Sequence, residues 1–324
     1  MLVSVLLFAV GLVLLIKGGD WFVDGATGIA KRFNLPDIVV GATVVSIGTT
    51  LPEVMVSTTG ALAGSGAMAY GNAIGSIICN TALIAAISIT CNPGPVNVKS
   101  MKTPAIFFFG AAAMYCLAAY GLGTFPRWLG FIMLTVFVIY MVLTVRNGMK
   151  NPDAAAEEEE EESKPKALWQ ELLLLVVGAA VIAVGADLLV EHGQIIAIGL
   201  GVPETVVALL FVALGTSLPE LVTTITSLKK GRASLGVGNV IGANVFNLVL
   251  VSGVDVSLAP FDVPCENLLL DTGMNLSLVF DIPVMLLVMS LMIFPAFAKK
   301  KLGRWQGIAL LAIYAAFCVC QFML

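Results

Sequence analysis

The feature that most constrains the fold of this chain is an internal repeat. Shifted by 167 residues, the sequence aligns with itself without gaps from Asp20 and Asp187 to Asn80 and Asn247. Between Pro36 and Asn80, 16 of 45 positions are identical in the two copies. Self-similarity of this kind predicts that the chain folds as two similar halves, with matching residues at matching positions.

Composition and apolar runs place both halves in a membrane. Of the 324 residues, 59% are hydrophobic and 12% are charged, whereas a soluble globular protein carries about 25% charged residues. A transmembrane helix needs about 20 apolar residues, and ten runs meet that need. The predicted spans are 1–17, 38–64, 71–90, 104–121, 126–146, 168–190, 205–228, 235–253, 275–295 and 304–323. We therefore predict an all-α protein in the lipid bilayer, with no nucleic-acid partner.

The basic residues predict the orientation of these ten segments. If the N-terminus is outside, 16 of the 17 lysines and arginines fall on the inner side, and only Arg127 falls outside. Such an excess marks the cytoplasmic face. We therefore predict an integral protein of the plasma membrane with both termini outside. Acidic residues such as Glu191 and Asp255, and the single histidine His192, are predicted to lie in outer loops.

The halves are joined by a charged stretch, Asn147–Lys166, which contains the glutamate run Glu157–Glu162. A run of like charges is typical of a solvated segment. We predict a first five-helix repeat over residues 1–146, an acidic cytoplasmic linker over 147–167, and a second repeat over 168–324. Because five is odd, the second repeat enters the membrane from the opposite side. Inverted-topology repeats of this kind are common in secondary transporters, with the binding site near the midplane.

Two copies of one motif lie at the centre of the second and seventh segments, Gly48–Glu53 and Gly215–Glu220. Each contains a carboxylate at membrane depth, where a charge costs about 2.5–3.5 kcal/mol on insertion scales, so that each glutamate is a candidate functional residue. Each also contains a proline, which lacks an N–H and frees the carbonyl four residues earlier. We predict that both segments are broken here, since unwound backbone is tolerated in a membrane where it lines a cavity.

The third and eighth segments begin with Gly-Asn-x-Ile-Gly and supply further oxygen atoms. Their glycines allow close approach to a neighbouring helix. Ser76 and Asn80 are four residues apart and share one helix face, and the equivalent pair is Ala243 and Asn247. Carboxylate, amide, hydroxyl and carbonyl oxygens are ligands for Ca2+ or Na+. Two close carboxylates repel unless cations or protons neutralise them, so the pattern predicts a cation site that needs no cofactor.

At these motifs the sequence resembles the cation/Ca2+ exchanger superfamily, and within it the archaeal and bacterial Na+/Ca2+ exchangers. The resemblance implies ten helices and a central group of ion sites, three suited to Na+ and one to Ca2+. It makes Glu53 and Glu220 the shared central ligands and gives Ca2+ the backbone carbonyls of Thr49 and Thr216. The metal-binding residues implied in total are Glu53, Glu220, Thr49, Thr216, Asn80, Asn247, Ser76, Ser217, Thr50, Ser46, Ala213 and Ala243.

Two of these residues depart from the family pattern. Ala243 stands where relatives have a serine, which removes one hydroxyl from a flanking Na+ site. Asn247 stands where some relatives, including K+-dependent ones, have an aspartate, so that the site carries one negative charge fewer. The amide therefore argues against K+ coupling.

The sequence leads to one functional hypothesis and three alternatives. The hypothesis is electrogenic antiport of about three Na+ for one Ca2+ by alternating access, with segments one and six sliding as a gate, as the family implies. The first alternative is Ca2+/H+ exchange, with protons on Glu53 and Glu220 in place of Na+. The others are a cation channel, which a closed midplane site disfavours, and an intramembrane enzyme, for which no His-Glu-x-x-His or Gly-x-Ser-x-Gly motif is present.

Overall fold

The computed structural model describes residues 2–64, 66–150, 167–200, 215–263, 268–269 and 274–323, and this part of the chain is almost entirely helical. The helices are α1 (Leu2–Arg32), α2 (Asp37–Leu62), α3 (Gly66–Cys91), α4 (Val98–Leu122), α5 (Arg127–Met149), α6 (Leu168–Gly199), α7 (Leu218–Lys229), α8 (Ala233–Leu258), α9 (Ser277–Lys299) and α10 (Arg304–Met323). Within the described residues, nine are long and apolar enough to cross a membrane. The exception is α7, whose predicted span 205–228 is described only from Gly215.

Two helices are longer than the sequence predicts. The first was expected over residues 1–17 but α1 continues to Arg32, and the sixth was expected over 168–190 but α6 continues to Gly199. Charged residues do not end a helix, and the next proline after each run lies beyond the observed end, at Pro36 and Pro203. At 1.5 Å per residue, the 31 residues of α1 extend well beyond a hydrocarbon core of about 30 Å.

The same extension corrects the placement of three polar residues. Glu191 and His192 were expected in an outer loop but lie within α6. Asp255 was also expected in a loop but lies within α8, where it is fully buried. In each case the helix continues past the end of the apolar run, because apolar length measures the thickness of the membrane and not the length of the helix.

The structure keeps the internal repeat. The ends of α3 and α8 differ by 167 residues at both termini, as do the C-terminal ends of α1 and α6. Both α3 and α8 also contain a π-helical turn at the same place, Asn80–Ala85 in one and Asn247–Val251 in the other. The predicted architecture, all-α with two inverted halves, is therefore confirmed in the described residues.

Short antiparallel strand pairs join loops that the topology places on the same side. Gly94–Pro95, after α3, pairs with Lys301–Leu302, before α10. Thr124–Phe125, after α4, pairs with Phe261–Asp262, after α8. Because each pair contains one loop from each half, the pairs fix the relative sides of the two inverted repeats.

The central helices are α2, α3 and α8. In the most apolar stretch of each of these helices, 61%, 72% and 89% of the residues are buried inside the protein. The corresponding share is 22% in α6 and 17% in α10. A glycine contact joins α2 to α8: a Cβ on Gly238 would overlap the carbonyl oxygen of Ile38. This close crossing brings the two halves together at the middle of the molecule.

The other long interface joins α1 to α6. A Cβ on Gly11 would lie 2.9 Å from the carbonyl oxygen of Gly185, and a Cβ on Gly185 would lie 2.9 Å from that of Gly11. Gly18 and Gly178 make similar contacts one heptad along. At one end of the pair, Arg32 Nε donates to Glu171 Oε2 at 3.1 Å. The two helices therefore pack along their length as an antiparallel pair.

Candidate cation site

The two motifs have different backbones. Residues Thr216 and Ser217 form a turn, and α7 begins at Leu218 with Pro219 in its first turn, where the missing N–H costs nothing. The predicted break is therefore present in the second half. In α2 the helix continues through Pro52, and its distortion is a π-helical turn at Gly41–Val45, which ends about two helical turns before the proline. The break predicted for α2 thus takes the form of a π-helical bulge, while the backbone stays helical around the proline.

Glu53 and Glu220 are completely buried. None of their four carboxylate oxygens has a hydrogen bond of good geometry among the described residues. The Thr49 side chain lies near Glu220, and the two carboxylates are close enough to each other to interact. Removing one ion from water costs several kcal/mol even after relaxation. Two such groups side by side require a positive charge or protons to neutralise them.

Uncharged amide and hydroxyl groups surround the two carboxylates. Asn80 and Asn247 are fully buried with both amide atoms unpaired, and the hydroxyls of Thr50 and Ser217 are likewise unpaired, within the part of the chain that is described. No group of three or more His, Cys, Asp or Glu that could hold a metal occurs among those residues. The site therefore combines two carboxylates with uncharged oxygens, a set suited to Ca2+ or Na+.

The asparagines reach the site from the opposite halves. Each one is the first residue of a π-helical turn, and such turns occur frequently at functional positions. The turn that starts at Asn247 contacts α2, which carries Glu53, and the turn that starts at Asn80 contacts α7, which carries Glu220. Each glutamate thus belongs to a helix in contact with the asparagine turn of the other half.

Most of the remaining predicted residues are also buried or half-buried, and two of them need separate mention. Ser46, Thr49 and Ser76 are buried, and Thr216 is half-buried. Ala243 is buried but has no side-chain oxygen, so its side chain contributes no ligand. Ala213 lies outside the described residues.

Two asparagines that were not predicted as site residues position the threonines. Asn239 Oδ1 accepts a hydrogen bond from Thr49 Oγ1 at 3.1 Å. It also lies 3.3 Å from Ser46 Oγ, which is nearer to the carbonyl oxygens of Gly41, at 2.8 Å, and of Asn239, at 3.0 Å. Its repeat equivalent, Asn72, accepts one from Thr216 Oγ1 at 3.5 Å through Oδ1. Both residues belong to the Gly-Asn-x-Ile-Gly motifs. The presence of the same asparagine in both copies could therefore have indicated that they belong to the site. They orient groups of the site from the opposite half of the chain.

Two other carboxylates, the buried Asp255 and the half-buried Asp281, bridge helices away from the paired glutamates. Asp255 Oδ1 accepts a hydrogen bond from Thr58 at 3.0 Å, which links α8 to α2. Asp281 Oδ1 accepts one from Gln321 Nε2 at 2.7 Å, which links α9 to α10. Asp281 has no acidic counterpart in the repeat, and this bond gives it a structural role.

The α1–α6 pair covers the site. A cavity of about 10 Å³ separates the pair from the motifs, about the size that holds one water molecule. Its walls are formed by Phe22 of α1, by Ala179, Ile182 and Ala183 of α6, and by Gly48, Thr49, Pro52 and Pro219 of the motifs. Movement of the pair would therefore change access to the motif residues.

The pair covers the two faces of the molecule unequally. On one face, a Cβ on Gly19 of α1 would lie 2.8 Å from Val222 and 2.9 Å from Thr226 of α7. The equivalent contact on the other face would place α6 against Met55 and Thr59 of α2, but Met55 is 69% exposed and Thr59 is exposed. Among the described residues, α1 thus packs on α7 at the face where α7 ends, which we call the closed face. At the face where α2 ends, which we call the open face, α6 leaves Met55 and Thr59 uncovered.

Known proteins share this architecture. The chain matches the family described as sodium/calcium exchanger protein over residues 3–146 and 171–323. It is 34% identical over 308 residues to an uncharacterized membrane protein of Methanocaldococcus jannaschii, MJ0091, covering 95% of this chain and 94% of that protein. It is 29% identical over 355 residues to the sodium/calcium exchanger MaX1 of Methanosarcina acetivorans, covering 99% of each.

Solved structures of the sodium-calcium exchanger NCX_Mj have the same fold. The form soaked with zero Na+ and Ca2+ superposes with a TM-score of 0.79 at 31% identity, covering 99% of both chains. A form soaked with Na+ and Sr2+ superposes with a TM-score of 0.78 over 98% of both. The predicted resemblance is thereby confirmed, and with it a membrane ion exchanger rather than an enzyme. Because the family match covers both halves and most of their length, the chain belongs to the sodium/calcium exchanger protein family.

Proposed function

We propose that this exchanger moves Na+ in one direction and Ca2+ in the other by alternating access to the Glu53–Glu220 site. The observation that carries the proposal is the pair of fully buried carboxylates without partners among the described residues, surrounded by uncharged oxygens. Such a pair is stabilised by either ion, so one load excludes the other. That exclusion couples the two fluxes. Three Na+ per Ca2+, the number implied by the resemblance, stays a prediction.

The named relatives favour Na+ as the counter-ion. MaX1 is called a sodium/calcium exchanger, and NCX_Mj was crystallised in forms soaked with Na+, Ca2+ or Sr2+. One observation favours Ca2+/H+ exchange as a second candidate: carboxylates without hydrogen-bond partners are also neutralised by protons. The two candidates use the same glutamates and differ only in the ion that replaces Ca2+.

The proposed location is the plasma membrane, with both termini outside. The distribution of basic residues supports this orientation, since 15 of the 17 still lie on the predicted inner side, whereas Lys17, which the sequence alone placed there, lies in the middle of α1. Three ion pairs between described residues gather on that same side, namely Arg32 with Glu171, Lys230 with Asp24, and Arg232 with Asp37. In this orientation the closed face of the molecule is the inner face.

Transport into proteoliposomes separates the two candidates. We expect uptake of radioactive Ca2+ when the vesicles contain Na+, and none when a pH gradient replaces the Na+ gradient. With three Na+ per Ca2+ and no membrane potential, a tenfold Na+ gradient balances a Ca2+ gradient of about a thousandfold, since each tenfold step is worth 1.4 kcal/mol. Uptake that is driven by the pH gradient and is indifferent to Na+ would assign the chain to Ca2+/H+ exchange.

A second prediction concerns Asn239, which orients Thr49 and Ser46 at the site. We expect Asn239→Leu to weaken Ca2+ and Na+ binding by about 10- to 100-fold, as is typical when a group supporting metal ligands is lost. The measurement is the Ca2+ concentration that gives half-maximal uptake. Asn244→Leu is the matched control, because Asn244 is equally buried in α8 but donates to Thr81 and Met289 instead. Equal losses in both variants would show that Asn239 acts only through packing.

A further inference from the structure

Lys230, just after α7, is bound to α1. Its Nζ lies 2.6 Å from Asp24 Oδ1 and 3.8 Å from Asp20 Oδ1. It also donates to the backbone carbonyl of Asp20 at 3.0 Å. The two acids are one helical turn apart on α1, so both reach the same lysine. These contacts lie beside the place where Gly19 packs on Thr226.

The helix bound by Lys230 is half of the α1–α6 pair that covers the site. The glycine contacts and the Arg32–Glu171 ion pair connect α1 to α6. Lys230 itself directly follows α7, the helix that carries Glu220. The Lys230 ion pairs therefore connect the covering pair to a helix of the site, on the closed face of the molecule.

The internal repeat shows that these ion pairs have no counterpart on the open face. The positions equivalent to Asp20 and Asp24 are Asp187 and Glu191, so both halves keep the acids. The position equivalent to Lys230 is Ala63, immediately after α2. The acids are duplicated and the lysine is not, and the face without the lysine is the one where Met55 is 69% exposed.

We propose that Lys230, Asp20 and Asp24 form an ionic latch that stabilises the closed face and biases the resting protein toward the state open on the opposite face. The inference rests on the alternating access of the proposed function. When the α1–α6 pair moves to open the closed face, Lys230 loses both carboxylates. On the opposite face, closure brings Asp187 and Glu191 toward Ala63, and no equivalent ion pair forms.

The expected size of the effect follows from exposure. The side chains of Lys230 and Asp24 are 30% and 45% exposed, and exposed ion pairs change an equilibrium by about fivefold at most. Salt screens such pairs, since the Debye length falls from about 10 Å at 0.1 M to about 3 Å at 1 M. The latch therefore shifts the balance between the two states without locking either one.

Two engineered thiols report which face is open. Thr226→Cys lies behind Gly19 on the closed face, where Thr226 is 8% exposed, and Met55→Cys lies on the open face. Their rates of maleimide labelling in nanodiscs at 0.1 M salt are followed peptide by peptide by mass spectrometry. We expect Lys230→Ala to raise the Thr226→Cys rate about two- to fivefold. Lys229→Ala, which removes the neighbouring exposed lysine, is the control and leaves both rates unchanged.

A charge exchange tests the latch against a merely structural role. We expect Asp24→Lys alone and Lys230→Asp alone to raise the labelling of Thr226→Cys, and the two together to restore the original rate. We also expect 1 M salt to bring the unsubstituted latch to the rate of Lys230→Ala. Equal rates for Lys230→Ala and Lys229→Ala, or no restoration by the exchange, would overturn the latch. Labelling needs no ion gradient, so a failure of Na+/Ca2+ exchange would appear in the uptake assay and not here.

Discussion

Glu53→Gln is expected to abolish Na+-driven Ca2+ uptake, lowering it about 100- to 1,000-fold. The amide keeps the shape of the side chain and removes one of the two charges that neutralise the bound ions. In the proposed complex, Glu53 and the bound cation form a buried pair of opposite charges. Removing one member of such a pair costs about 3–5 kcal/mol, and each 1.4 kcal/mol is a factor of ten in affinity. Because Glu53 and Glu220 are equivalent in the repeat and equally buried, we expect Glu220→Gln to have a similar effect.

The control for this prediction is Asp281→Asn. Asp281 is also a carboxylate within a membrane helix, but it accepts a hydrogen bond from Gln321 away from the site. We expect Asp281→Asn to keep most of the uptake, and all variants to elute as a single species in detergent before reconstitution. Uptake by Glu53→Gln above a tenth of the original rate would contradict the assignment of Glu53 as a shared ligand. Equal loss in Asp281→Asn would show that the loss of uptake is not specific to the paired glutamates.

The pairing of the two halves could be predicted from the sequence because it depends on residue identity and charge. The repeat aligned Gly48 with Gly215 and Glu53 with Glu220. The concentration of basic residues on one side indicated an even number of helices. These signals are local, and tertiary packing does not change them. The closeness of the two carboxylates followed from the inverted symmetry of the repeat.

What could not be predicted depends on tertiary contacts. The backbone of α2 stays helical through Pro52, although a proline removes one hydrogen bond and usually kinks or breaks a helix. Hydrogen bonds from Thr49 and Ser46 to Asn239 join residues about 190 positions apart. Asp255 looked like a loop residue because it follows an apolar run, yet Thr58 of α2 satisfies one of its oxygens inside the protein.

A second large effect is expected at the crossing of α2 and α8. We predict that Gly238→Ala destabilises the protein, because a Cβ there would overlap the carbonyl oxygen of Ile38 and lie 2.8 Å from its Cα. These are backbone atoms, which cannot rotate away as a side chain can. Overpacking of this kind typically costs about 1–3 kcal/mol, more than the roughly 1 kcal/mol gained by replacing glycine with alanine in a helix. The measurement is the thermal unfolding midpoint in detergent, followed by tryptophan fluorescence.

The matched control is Gly110→Ala in α4. Gly110 is exposed, and a Cβ there would meet no described atom within 4 Å. We expect its unfolding midpoint to stay the same or to rise slightly, while that of Gly238→Ala falls by several degrees and its Ca2+ uptake is lost. The crossing sets the distance between Glu53 on α2 and Asn247 on α8, so a shift of the backbone also displaces ligands. If Gly238→Ala unfolded like the original protein but no longer bound Ca2+, the glycine would serve ligand geometry rather than stability.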